Sequence, residues 1–184
     1  MPGRRLFTGF AIPTHLADGF AAFHRLNAGL SGLRWVPPAH LHVTAYFLGH
    51  REAEQLGAIR ERLQVIAAEA HPFPLAFHQF IAHPGHAPHM VWAEFDPSPE
   101  LDHLHRTLHN TFSEDPEPGQ PGSQRVHVTL ARCRRWPGDG RLKTNVHFDN
   151  KEMKADRLVL WESHLEPEGA VYVPLDSFAL SPSI

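Results

Sequence analysis

The sequence predicts an α/β or, more narrowly, an α+β fold, with two sheets of mainly antiparallel strands and helices packed on their outer faces. Three observations carry that expectation. Stretches with strand periodicity alternate with stretches of helical periodicity, and the breaks between them are rich in Pro and Gly. The tripeptide His-Val-Thr also occurs twice, at 42–44 and 127–129, each time inside a strand-like stretch.

In chain order, RLFTGFAI (5–12) is aromatic and apolar and stops at Pro13, which reads as a strand. From Thr14, residues Leu16, Phe20, Phe23, Leu26 and Leu30 recur at helical spacing. Trp35 and Val36 lead into Pro37-Pro38, which break the chain before LHVTAYF (41–47), an alternating strand closed by Gly49. Leu56, Ile59, Leu63 and Ile66 then give residues 52–69 one apolar face. FPLAFHQFIA (73–82) and HMVWAEF (89–95) flank HPGHAP, whose Pro and Gly suit a hairpin turn. Ser98 is the expected N-cap of a helix over 99–112 carrying Leu101, Leu104, Leu108 and Phe112. Residues 114–124, EDPEPGQPGSQ, read as an acidic loop, and RVHVTLAR (125–132) returns to strand. RWPGDGRLKTN is a weakly patterned connection with room for a short helix, and MKADRLVLWESHL and AVYVPLDSFAL are expected to close a hairpin across Glu168-Gly169. Thr44 and Thr129 lie 85 positions apart, near half the chain, but the halves share little residue identity beyond the tripeptide.

Composition narrows the function classes. With 184 residues, 42 % of them hydrophobic, one compact domain over 1–184 is expected. A formal charge of -3 argues against a general nucleic-acid coat protein, so an anionic ligand must be met by local positive charge. The single cysteine, Cys133, excludes an internal disulfide and a cysteine-built zinc site. Pro13, His15 and Asp18 interrupt the apolar run near the N-terminus, and no stretch reaches the ~20 apolar residues of a membrane span. A soluble, cytoplasmic monomer with no membrane partner is expected.

In a strand, residues i and i+2 share a face. His42 and Thr44 therefore project together with Tyr46 next along, and Leu41, Val43, Ala45 and Phe47 take the other side. His127 and Thr129 likewise share a face, opposite Val128 and Leu130. Among 16 histidines one such tripeptide would carry little information, but two on separate strands form a constellation. If the strands meet across a cleft, a neutral imidazole can take a proton from an attacking oxygen and a protonated one can give a proton to the leaving oxygen. Two hydroxyls can meet the non-bridging oxygens of a phosphate. This chemistry calls for no metal and no cofactor, and a cyclic phosphate suits it because its alkoxide leaving group needs a proton.

HLHVTAYFLG and HVTLAR resemble the paired signatures of the 2H phosphoesterase superfamily. More narrowly, RWVPPAHLHVTAYFLG, preceded by RLFTGFAIP and followed near the C-terminus by LVLWESHLEPEGAVYVPL, is similar to the RNA 2′,3′-cyclic phosphodiesterases once called 2′-5′ RNA ligases. The resemblance implies a bilobal, pseudo-twofold fold around a central cleft and metal-free hydrolysis of RNA 2′,3′-cyclic phosphate ends to 2′-phosphates. It also implies that His42 is the catalytic acid and His127 the base, and that Thr44, Thr129 and Arg132 hold the phosphate. Strict alternation would point Arg132 away from His127, so that role requires the strand to bend. Ala45 departs from the leucine usual after the first threonine, and 134–148 is shorter and more polar than expected. A small cyclic nucleotide or ADP-ribose phosphate as substrate, 2′-5′ joining of RNA ends, and RNA-end binding without turnover are the rival readings.

Two further clusters stand out. Residues 125–143 hold Arg125, Arg132, Arg134, Arg135, Arg141 and Lys143 against Asp139 alone, a basic rim or simply a solvated surface. Eight histidines lie within 71–109, among them His83, His86 and His89 in a Pro/Gly turn; His105 and His109, at i, i+4, could share a helix face as metal ligands, but there is no His-Glu-x-x-His pattern and no cysteine partner.

Overall fold

A computed structural model describes residues 3–85, 87–113, 125–137, 141–166 and 169–182. The elements are β1 (Arg4–Ala11), α1 (Thr14–Asn27), β2 (Arg34–Trp35), β3 (His42–Arg51), α2 (Leu56–Glu69), β4 (Phe73–His83), β5 (Met90–Phe95), α3 (Pro99–Phe112), β6 (His127–Arg132), β7 (Glu152–Ala155), β8 (Arg157–Glu166) and β9 (Gly169–Ala179). Ser98 caps α3 as the sequence indicates, its Oγ accepting the Leu101 N–H at 3.2 Å. The acidic loop 114–124, His86 and Glu168 lie outside the described residues.

The strands pair in the order β7-β4-β5-β6-β3-β1-β8-β9, with β2 beside β6, and every pairing is antiparallel. The two sheets expected from sequence are thus halves of one curled strip, β9-β8-β1-β3 and β6-β5-β4-β7. They join where β3 meets β6 through the pair Val43 and Val128. Both valines are at most 1 % exposed, because their faces carry the core.

Each half uses the same unit of strand, helix and His-Val-Thr strand: β1, α1, β3 and then β5, α3, β6. In each unit the motif strand pairs with the strand that precedes its helix. The helices are exchanged between halves. Phe20 and Phe23 of α1 pack on Phe77 and Phe80 of β4, with Phe23 and Phe80 stacked at 3.9 Å between centroids. On the other half, α3 reaches β3 through a hydrogen bond from His105, and α2 reaches β9 through the Arg60–Asp176 ion pair.

Bulges depart from the alternation read in the sequence. In the β1–β3 ladder Ala45 and Leu48 have no opposite residue, and in the β5–β6 ladder Leu130 has none. One extra residue reverses the side on which every later side chain emerges. Beyond Ala45, Tyr46 therefore turns toward α3, against the rings of His105 and His109, and Phe47 turns outward at 62 % exposure. That reverses the sequence expectation for both.

The expected final hairpin is also corrected. Its first arm breaks at Asp156, so that β7 pairs with β4 in one half while β8 pairs with β1 and β9 in the other. Residues 141–150 form no helix or strand; instead Phe148 seals α1, lying so close to Gly19 that a Cβ there would sit 2.6 Å from its ring.

Gly9 faces Thr44 at the Ala45 bulge, and a Cβ at Gly9 would lie 2.2 Å from the Val43 carbonyl oxygen. Backbone cannot yield there as a flexible side chain would. Gly9→Ala should lower stability by about 2 to 3 kcal/mol, seen as a lower urea midpoint at unchanged m value.

Candidate active site

The seam between the halves sets the geometry of the cleft. An antiparallel register centred on Val43 and Val128 carries His42 alongside Thr129 and Thr44 alongside His127. The valines point into the core, so the four polar side chains rise on the opposite face. All four line one cleft of about 790 Å³.

Both imidazoles are held by the same local device. His42 Nδ1–H donates to the His40 carbonyl and His127 Nδ1–H to the Arg125 carbonyl, each at 2.7 Å. A carbonyl only accepts, so Nδ1 carries the proton in the neutral ring and Nε2 keeps its lone pair for the cleft. The next proton each ring takes resides on Nε2. A single site thus switches between base and acid.

Aromatic rings fix the ring planes. Phe7, Tyr172 and Trp161 surround His42 with centroids at 4.7, 4.9 and 5.4 Å. His127 stacks on Trp92 at 3.7 Å, and His83 covers the indole at 3.6 Å, making a stack of three rings. Burial removes the water that would solvate an imidazolium, and it pushes the His42 pKa down to about 4. The His127 and Arg132 charges add to that depression, against the backbone hydrogen bond to His40. His127 is lowered as well, chiefly by burial and then by the nearby charges of His83 and Arg132.

Arg132 enters the cleft because β6 bends. Without an opposite residue for Leu130, Ala131 pairs with Val91 and Arg132 emerges on the side of His127 and Thr129. On the other edge of β6 the Leu130 carbonyl accepts the Val36 N–H at 2.8 Å, extending the β2–β6 pairing by one residue. On β3, His105 Nδ1–H donates to the carbonyl of the bulged Ala45 at 2.7 Å. His105 thereby holds the bulge next to Thr44 and itself lines the cleft.

A family model described as the 2′-5′ RNA ligase superfamily matches residues 13–167. The chain belongs to that superfamily, the 2H phosphoesterase group. Among its relatives, the RNA 2′,3′-cyclic phosphodiesterase of Bacillus subtilis is 28 % identical over 183 residues, 95 % of this chain and 96 % of its own. The protein of the same name from Archaeoglobus fulgidus is 27 % identical over 184 residues, 95 % of this chain and 99 % of its own. In fold, a solved Thermus thermophilus protein superposes with a TM-score of 0.80 at 24 % identity, covering 98 % of this chain and 100 % of that one. E. coli LigT, solved with phosphate, superposes at 0.74 and 20 % identity, covering 98 % and 99 %. The curled antiparallel sheet with three helices is therefore the superfamily fold.

The structure brings all five residues singled out from sequence, His42, Thr44, His127, Thr129 and Arg132, to one cleft. Sequence reasoning missed Arg34, Phe7, Trp161, Tyr172 and the cleft-facing position of Phe47. The first belongs to a strand of two residues with no periodicity to detect, and the others arrive from strands far apart in the chain. His105 and His109 pack about Tyr46, and among the described residues no group of three or more His, Cys, Asp or Glu converges as metal ligands would. No helix among these residues is long and apolar enough to cross a membrane.

The depressed His42 pKa carries a stability consequence. An imidazole that binds protons more readily unfolded than folded stabilises the fold above its ordinary value near 6.5, and that stability drains away as pH falls toward about 4. Wild type should lose on the order of 2 kcal/mol by pH 4.5 through His42, and His42→Gln should flatten that slope. Urea titrations at pH 7 and pH 4.5 check it.

Proposed function

We propose that the chain hydrolyses RNA 2′,3′-cyclic phosphate ends to 2′-phosphates, with His42 and His127 as the proton-transfer pair. One observation carries the reading: the antiparallel register at Val43 and Val128 sets each imidazole beside the other strand's threonine, with both Nε2 atoms on the cleft side. A phosphorus above that local twofold lies between a base and an acid. The neutral ring takes a proton from water as the oxygen bonds to phosphorus. The P–O3′ bond breaks, and the protonated ring gives its Nε2 proton to the departing O3′. Thr44, Thr129 and Arg132 meet the non-bridging oxygens as charge builds there.

Burial favours the neutral form of both rings, so the acid gains its proton together with the substrate. The phosphate anion supplies the countercharge. The division of roles implied by the resemblance, His42 as acid and His127 as base, then makes binding and protonation of His42 a coupled event. Inorganic phosphate should bind with net proton uptake at pH 7, measured by calorimetry in buffers of different ionisation enthalpy. Binding without proton uptake would remove this coupling from the mechanism.

The decisive experiment is hydrolysis of a short RNA ending in a 2′,3′-cyclic phosphate, in EDTA, with the product located by phosphorus NMR. Turnover to the 2′-phosphate is expected, with a bell-shaped pH profile whose limbs belong to the histidine pair. His42→Ala and His127→Ala should each lose at least ~10²-fold in kcat, and Thr44→Val or Thr129→Val ~10²-fold. A folded His42→Ala or His127→Ala protein that kept its activity would sink the assignment of that residue, and a strict need for a divalent ion would sink the metal-free mechanism.

A further inference from the structure

We infer that His83 tunes His127 through Trp92: the two imidazoles share one indole, so a proton on His83 makes a proton on His127 harder to add and sets the lower pH limit of the site. His83 is a positioning residue, since it acts through another ring. Its effect on turnover rests on the function proposed above, in which His127 accepts a proton.

Three neighbouring strands build the stack. Trp92 on β5 stands opposite Thr129 on β6, and His127, two residues back on the same face, is its diagonal neighbour. On the other edge of β5, Ile81 of β4 stands opposite Trp92, and His83 follows two residues on. Alternation puts His83 on the face that carries Trp92 and His127, the face of the cleft. The indole lies between the imidazoles, 3.6 Å from His83 at 14° and 3.7 Å from His127 at 17°. Trp92 is 8 % exposed, and its Nε1–H has no hydrogen-bond partner among the described residues. Stacking therefore fixes the indole plane, and the indole supports His127.

An imidazolium gains from an indole face, and a second one on the opposite face competes for the same π density. The two imidazoles lie about 7 Å apart, where unit charges shift one another's pKa by roughly 0.4 unit at the dielectric of water and by more in drier surroundings. The pair therefore takes up protons in two linked steps. Other charges near His127 come from Glu94 opposite it on β5, itself paired with Arg125, from Arg132 farther along β6 and from His42 across the seam. His89, whose N–H bonds the His83 carbonyl, closes the β4–β5 hairpin. Burial does most to lower the His127 pKa, opposed by the backbone hydrogen bond to Arg125; among the charges His83 acts most strongly, ahead of Arg132. A neutral ring at position 83 would pack on the indole equally well, and what the imidazole adds is a charge that appears as pH falls. With His83 protonated, His127 stays neutral, and so able to accept a proton, to a lower pH than burial alone achieves. A comparable stack, His24 on Trp35 at 4.2 Å, meets the edge of Phe23 instead of a second imidazole and supplies a control.

The test is an NMR titration of the His127 ring in wild type, His83→Phe, His83→Gln and His24→Phe. His83→Phe keeps the stack and removes the charge, so the His127 midpoint should rise by ~0.4 unit or more. His83→Gln should move it in the same direction, and His24→Phe should leave it in place. In His83→Phe the acidic limb of kcat/KM should rise with the midpoint, while the plateau at higher pH stays within about twofold of wild type. A midpoint unchanged in His83→Phe would overturn the inference, as would one unchanged in His83→Gln should the first variant not fold. Absence of turnover by folded wild type would instead overturn the proposed hydrolysis, and the titration would still decide whether His83 and His127 are coupled.

Discussion

Everything in the cleft depends on one pairing, Val43 against Val128. Two half-sheets meet there, and the buried valines hold the register by filling the core while their neighbours rise on the far face. A slip of one residue would turn one of the two strands over, burying its histidine and threonine and lifting its valine into the cleft. The repeated tripeptide is therefore a structural device as much as a chemical one. Its central residue specifies the seam, and the flanking residues inherit a local twofold from it.

Around that twofold the surroundings differ. His42 sits among three aromatic rings and His127 lies on a stack whose far member is another imidazole. Equivalent backbone anchors at Nδ1 present equivalent Nε2 atoms, so the difference between the rings lies in solvation and nearby charge. Symmetric scaffolding with unequal environments lets two residues of one type bind protons with different strength, as the proposed acid and base would need.

Much of this was legible in the sequence, and the failures share a cause. Period-2 patterning located β3 and β6 and put His42 with Thr44 and His127 with Thr129, because those residues precede the bulges. Tyr46, Phe47 and Arg132 follow a bulge, and a bulge leaves no mark in hydrophobic periodicity. The sequence does hold the group that braces the β3 bulge, but its partner is distant: His105 lies 60 positions from the Ala45 carbonyl it binds. The break at Asp156 was hidden for a related reason, since strands on either side are both apolar and differ only in the neighbour they choose. Local propensity reads elements well, and pairing partners are set by the tertiary fold.

The exchange of helices has a bearing on how the chain is made. The unit β1-α1 emerges first in synthesis, yet the surface that receives Phe20 and Phe23 is β4, roughly fifty residues later by chain order. Until β4 and β5 exist, α1 has an apolar stripe and nothing to lay it on. Maturation must therefore be concerted, with the N-terminal segment waiting on the middle of the chain, and the many sequence-distant pairings place it among slow-folding topologies. The same lacing ties the finished cleft across its seam. Spreading the walls apart would mean stripping α1 from β4, which makes the gap between the half-sheets a rigid mould rather than a jaw.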